Sequence, residues 1–128
     1  MKALLDTHAF IWWVTNNRHL SRHAYEFVAD PENSFLISAA SAWEIATKFR
    51  LGRLPEAARL AEDVAGAIAR EGFEPLPVSV AHGQRAGLLP EPVRDPFDRM
   101  LIAQAQVEGV PIVSVDTVFD SYGVSRLW

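Results

Sequence analysis

Along the chain, short compact apolar runs alternate with longer stretches whose apolar residues recur at helical spacing. Ala3-Leu4-Leu5, Phe35-Leu36-Ile37, Phe73 to Val80 and Val110 to Val115 are the compact runs, the first ending abruptly at Asp6 and the last at Asp116. Runs of this kind predict strands buried on both faces of a sheet. The prolines inside Phe73 to Val80 place that strand at a sheet edge. Val124 to Trp128 predicts a last short strand.

The intervening segments read as helices. Ala9 to Val14 enters the first. Ser21 is placed to N-cap a second, running through Ala29 and stopped by Asp30-Pro31. Ser41-x-x-Glu44 has the form of a capping box, which puts Glu44 in the first turn of a helix ended by Gly52. Glu56 to Arg70 predicts one amphipathic helix with Leu60, Val64 and Ile68 on its stripe. Ala81 to Leu89 is a weakly marked helix, followed by a loop through Pro92. Asp95 precedes Pro96, which makes Asp95 a natural N-cap and Pro96 the first helical residue of a helix closed by Glu108-Gly109.

Strands separated by helical crossovers imply a three-layer α/β/α sandwich around a central parallel sheet of about five strands. The first strand should lie in the middle, with the second on one side and the fourth on the other. A crossover helix runs antiparallel to the strands, so its N-terminus lies where the strands end. Asp6 and Asp116 follow strands; Glu44 and Asp98 fall in first helical turns. All four should therefore reach one rim at a topological switch point, where ligands of such sheets bind. Each also has a plain structural role open to it. Asp6 and Asp116 could cap turns, Glu44 could complete a capping box, and Asp98 suits the helix dipole. Asp120 is the weaker alternative to Asp116.

Composition narrows the chemistry. The chain has 128 residues, 49% of them hydrophobic and 22% charged, so residues 1–128 are expected to form one domain. The net charge of −4 argues against binding nucleic acid through bulk positive charge. Arg18, Arg22, Lys48, Arg50, Arg53 and Arg99 are expected to act locally, with Lys48 one turn from Glu44 and able to pair with it. There is no cysteine, which removes thiol nucleophiles and thiolate metal sites. His19 and His23 have metal-pair spacing, but a cap at Ser21 leaves His19 outside the helix, so both read as surface residues. No apolar run spans a bilayer, and Asp6 and His8 interrupt any signal-peptide core; a cytoplasmic protein without membrane association is expected. Trp12 and Trp13 point roughly 100° apart on a helix, so one can be core while the other faces a groove.

Four carboxylates in one cleft repel, at roughly 3 kcal/mol per pair for about 5 Å and an effective dielectric of 20. A hard divalent cation relieves this with oxygen ligands, which points to Mg²⁺ or Mn²⁺. The chemistry this suits is metal-assisted phosphodiester hydrolysis.

LLDTH, SAASAWEIATK followed by GRL, RDPFDRMLIAQA and IVSVD, in that order over nearly the whole chain, resemble the PIN-domain proteins, and among them the VapC-type toxins of type II toxin–antitoxin pairs. The resemblance implies Asp6, Glu44, Asp98 and Asp116 as the catalytic, metal-holding acids, with Thr7 helping to position a water or ligand. It implies a Mg²⁺-dependent endoribonuclease (Mn²⁺ able to substitute), RNA as substrate, a cognate antitoxin that inserts a C-terminal peptide beside the site, and a homodimer. Phe10, Trp12 and Trp13 are the candidates for the partner groove. The histidine frequent in relatives before Arg-Asp-Pro-Phe-Asp is Val93 here. Two other classes compete. A receiver-like phosphotransfer domain needs an Asp after its third strand and a lysine near its penultimate strand end, and neither is present. A catalytically silent binding module fits poorly with four intact acids.

Overall fold

The computed structural model describes residues 1–128, and its middle strand is β1, Lys2–Leu5. β2, Ser34–Ser38, pairs on one side of it and β4, Ile112–Val113, on the other. The edges are β3, Glu74–Leu76, and β5, Arg126–Leu127. The order is β3-β2-β1-β4-β5 and every pairing is parallel. The first strand thus lies between the second and fourth, as its unbroken apolar character predicts.

Successive strand residues face opposite layers, so each strand feeds two cores. Ala3, Leu5, Phe35, Ile37 and Val113 belong to one; Leu4, Leu36, Leu76 and Ile112 belong to the other. The first core is completed by α1 (Thr7–Val14), α2 (Arg22–Ala29), α3 (Ala39–Arg50), α4 (Ala58–Glu62) and α5 (Val64–Arg70), through Phe10, Val28, Ile45, Leu60 and Ile68. The second is completed by Leu101, Ile102 and Ala105 of α7 (Pro96–Glu108) and by Phe119. α6, Val80–Leu88, packs on α7. The result is three layers, helix on sheet on helix.

Several local expectations need correction. α1 starts at Thr7 rather than Ala9, because Asp6 caps it: its Oδ1 accepts the His8 N–H at 2.7 Å. α3 starts at Ala39. Its cap is Ser38, whose hydroxyl accepts the Ala40 N–H at 3.0 Å, and not Ser41. β2 therefore runs into α3 with no turn between them, the Ser41–Glu44 capping box does not form, and Glu44 lies in the second turn. The segment Glu56 to Arg70 is not one helix. It is a 3-10 turn, Pro55–Ala57, then α4, then α5, broken at Asp63. Asp63 leaves helical geometry (φ −152°) to cap α5, accepting the Gly66 N–H at 2.9 Å. A Cβ at residue 66 would lie 2.1 Å from Asp63 Oδ2, so this cap requires glycine there. The last three strands are also shorter than the apolar runs that contain them.

α6 is capped more firmly than its sequence suggests. Ser79 and His82 form a reciprocal capping box at its start. At its end Arg99 donates to the carbonyls of Ala86 (2.9 Å), Leu89 and Val93, groups that would otherwise lack partners. Arg99 is thereby committed to the fold and is not free for a substrate.

Candidate active site

β1 ends at Leu5 and Asp6 follows, at the carboxyl edge of the sheet. Asp6 is 8% exposed. Its Oδ1 is held by the His8 N–H and its Oδ2 accepts the Ser114 hydroxyl. Burial raises its pKa, and the hydrogen bonds from Ser114 and the His8 N–H partly offset the rise.

Ser114 was not legible as a site residue. It is fully buried just beyond β4, and its oxygen also accepts the Asp116 N–H at 2.9 Å. One hydroxyl thus ties together the acids that follow β1 and β4. The signal was a lone polar residue in the run Val110 to Val115. Asp116 itself is exposed and caps the 3-10 turn Thr117–Tyr122, accepting the Val118 N–H at 3.0 Å. Asp120 pairs with Arg126 and does not line the site.

Glu44 is 6% exposed and is paired with Lys48 four residues on. Thr7 is buried, and its hydroxyl meets that of Ser41 at 2.8 Å, fastening the start of α1 to α3. Asp95 caps α7 by accepting the N–H groups of Phe97 (2.9 Å) and Asp98 (3.0 Å). That cap fixes Asp98 in the first turn of α7, half-buried, as Pro96 at the first helical position predicts. The Asp98 pKa is pushed up to about 7, by burial first and then by the charges of Asp95, Asp116, Asp6 and Glu44.

Asp6, Glu44, Asp98 and Asp116 line a single cavity of about 320 Å³, with Asp95, Thr7 and Trp12 also in its wall. Larger clefts of about 700 and 750 Å³ elsewhere contain no acidic residue. No three of the chain's acids and histidines stand at the spacing of a preformed ion cage. The inner oxygens are instead engaged by protein donors, Ser114 and the His8 N–H on Asp6 and Lys48 on Glu44. The donor set is nonetheless all oxygen, and the carboxylates gathered in one cavity carry an excess of negative charge that a hard cation offsets.

Of the groove candidates, Phe10 is fully buried in the core and lines no groove; its place in the alternation of α1 turns it toward the sheet. Trp12 and Trp13 are half-buried. Both line a second cavity of about 340 Å³ together with Arg18, Arg22 and Tyr25, and Trp12 is shared with the acidic cavity. His19 and His23 are exposed. His19 stacks on Trp12 at 5.4 Å and His23 bonds the Trp128 carbonyl.

A parallel three-layer α/β protein with an acidic cavity at its switch point is the class that fold and geometry define. The chain belongs to the PIN-domain family, whose model matches residues 3–124. It is 51% identical over 55 residues to Ribonuclease VapC16 of Mycobacterium tuberculosis, a stretch that covers 43% of this chain. The chain spans 39% of the length of that relative. Among solved structures it is similar to VapBC2 from Rickettsia felis bound to a promoter DNA fragment, with TM-score 0.67, 14% identity and all of both chains covered. It is also similar to VapC20 of Mycobacterium tuberculosis, a Sarcin-Ricin loop cleaving toxin, with TM-score 0.62, 19% identity and 95% of each chain covered. At these identities the two structures speak for the fold. No helix is long and apolar enough to cross a membrane.

Proposed function

We propose that residues 1–128 act as one PIN-like domain that hydrolyses RNA phosphodiester bonds with Mg²⁺, as the toxin of a type II toxin–antitoxin pair inside the cell. The observation that carries this reading is the lining of one cavity by four carboxylates from distant parts of the chain. The names of the relatives support the choice of RNA and of an antitoxin partner.

In this reading Asp6, Glu44, Asp98 and Asp116 hold the ion, and Mn²⁺ can replace Mg²⁺. When bound, such an ion supplies Lewis acidity toward the phosphate and lowers the pKa of water. The chain's own groups do the rest. Ser114 and the His8 N–H fix Asp6 at the cavity floor. Asp95 fixes the helix start that carries Asp98. Asp116, exposed, faces an incoming backbone. Thr7, bonded to Ser41, holds α1 and α3 at a constant separation.

The antitoxin segment is proposed to enter the cavity lined by Trp12 and Trp13, beside the acids. A homodimer is proposed through the apolar cleft of about 430 Å³ lined by Trp43, Val78, Phe97 and Met100, where Trp43 is 63% exposed. Trp12→Ala and Trp13→Ala should each weaken antitoxin binding in a pull-down; folded variants that bind normally remove the groove assignment. Trp43→Ser should shift sedimentation toward monomer.

The decisive experiment compares cleavage of an RNA oligonucleotide by wild type, Asp6→Asn and Asp98→Asn, with and without Mg²⁺, after circular dichroism confirms the fold. Undiminished Mg²⁺-dependent cleavage by both variants would sink the reading.

A further inference from the structure

The acidic cavity contains one ammonium group and no guanidinium. Lys48 lies among Asp6, Glu44, Asp95, Asp98 and Asp116, and its Nζ is paired with Glu44 Oε2. Glu44 has no other hydrogen-bond donor, and its side chain is 7% exposed. A carboxylate this buried is costly without a counter-ion. A lysine four residues C-terminal to a glutamate is the favourable helical arrangement for supplying one.

The same pair obstructs a metal. A divalent cation and an ammonium seeking one carboxylate oxygen repel at a few ångströms, so both cannot occupy it. The lysine side chain keeps 25% of its surface exposed and has a flexible four-carbon stem, so it has a route out toward solvent. Asp6 has no comparable cationic occupant; neutral donors hold it.

We propose that Lys48 is a resident counter-ion of Glu44, a positioning residue that holds the metal-free site together and must leave Glu44 when a divalent ion enters. The proposal rests on the metal reading above and adds that the chain sets its own metal affinity by internal competition.

The test is calorimetric titration of Mn²⁺ alone, without RNA, into wild type, Lys48→Met and Lys48→Gln at pH 8. Lys48→Met is expected to bind Mn²⁺ about tenfold more tightly, corresponding to about 1.4 kcal/mol. Lys48→Gln, which keeps a neutral donor for Glu44 and guards against misfolding of the methionine variant, should also tighten binding. Lys48→Arg, which keeps the charge, should not. In thermal melts the methionine variant should be less stable without metal and gain more from Mn²⁺ than wild type does. A lysine that merely supports the helix would lower stability and leave the Mn²⁺ affinity unchanged. Equal or weaker Mn²⁺ binding by both neutral variants would overturn this proposal while leaving the metal site standing. Mn²⁺ binding by no protein in the series would overturn both.

Discussion

The two ends of α7 each bury polar side chains, and they do so to opposite effect. At the N-terminal end Asp98 sits among four other acids, and burial first, then their charges, drive its pKa up to about 7. At the C-terminal end Gln104 and Glu108 meet His82 of α6. The His82 Nδ1 accepts the Ser79 N–H at 3.0 Å, and its Nε2 lies 3.0 Å from Glu108. The neutral imidazole with its proton on Nε2 satisfies both contacts at once. One cluster crowds five carboxylates around a single lysine; the other bonds both ring nitrogens of His82 and leaves only the Gln104 Oε1 without a partner. Burial of a polar residue alone therefore does not mark a site. The mark is a charge whose neighbours make it worse.

The comparison breaks most sharply under mutation. Asp6→Asn and Asp98→Asn should each slow RNA cleavage by at least about 100-fold, beyond what loss of an outer-shell partner does, while folding stability holds or rises. His82→Ala should do the reverse. It should cost about 2–3 kcal/mol in chemical denaturation by leaving buried groups unpaired, with cleavage per folded molecule unchanged. Ser114→Ala is intermediate: about tenfold slower cleavage at neutral pH. It removes a donor that favours the charged form of Asp6, so the acid limb of the pH–rate profile should move to higher pH.

The smallest effect sharpens the contrast in stability. The folded-state pKa of Asp98 is raised, so the stability linked to its proton is present at low pH and is lost as pH rises through about 7. The raised pKa of Asp6 acts in the same direction. Metal-free protein should therefore melt a few degrees higher at pH 5.5 than at pH 8. Asp98→Asn should flatten that difference, whereas His82→Ala should retain it.

Much of this was readable from the chain. Short apolar runs gave the strands because a strand buried on both faces tolerates no polar residue, so Asp6 marks where β1 must end. Asp98 was readable because Pro96 can sit only at a helix start and Asp95 caps it. What escaped were choices between equivalent partners. Ser38 and Ser41 both suit a helix cap, and only the packing of β2 decides between them. Asp63 interrupts an otherwise sound helical period because its carboxylate finds Gly66, a contact the spacing of Leu60, Val64 and Ile68 conceals. Ser114 was hidden because its value lies in reaching Asp6, more than a hundred residues away. Phe10 was misplaced because the sequence of α1 is apolar on nearly every side, leaving no polar face to orient it.

Asp6 ends the middle strand and begins a helix in a single residue. Its N–H is bonded to the Val113 carbonyl at 3.1 Å, and its own carbonyl accepts the Phe10 N–H at 3.0 Å. The floor of the cavity is therefore anchored to the part of the molecule that opens last, and its amides should exchange only when the whole sheet comes apart. Whatever silences such a site has to work from the mouth, against Asp116, Lys48 and Trp12, as a stopper and not as a wrench.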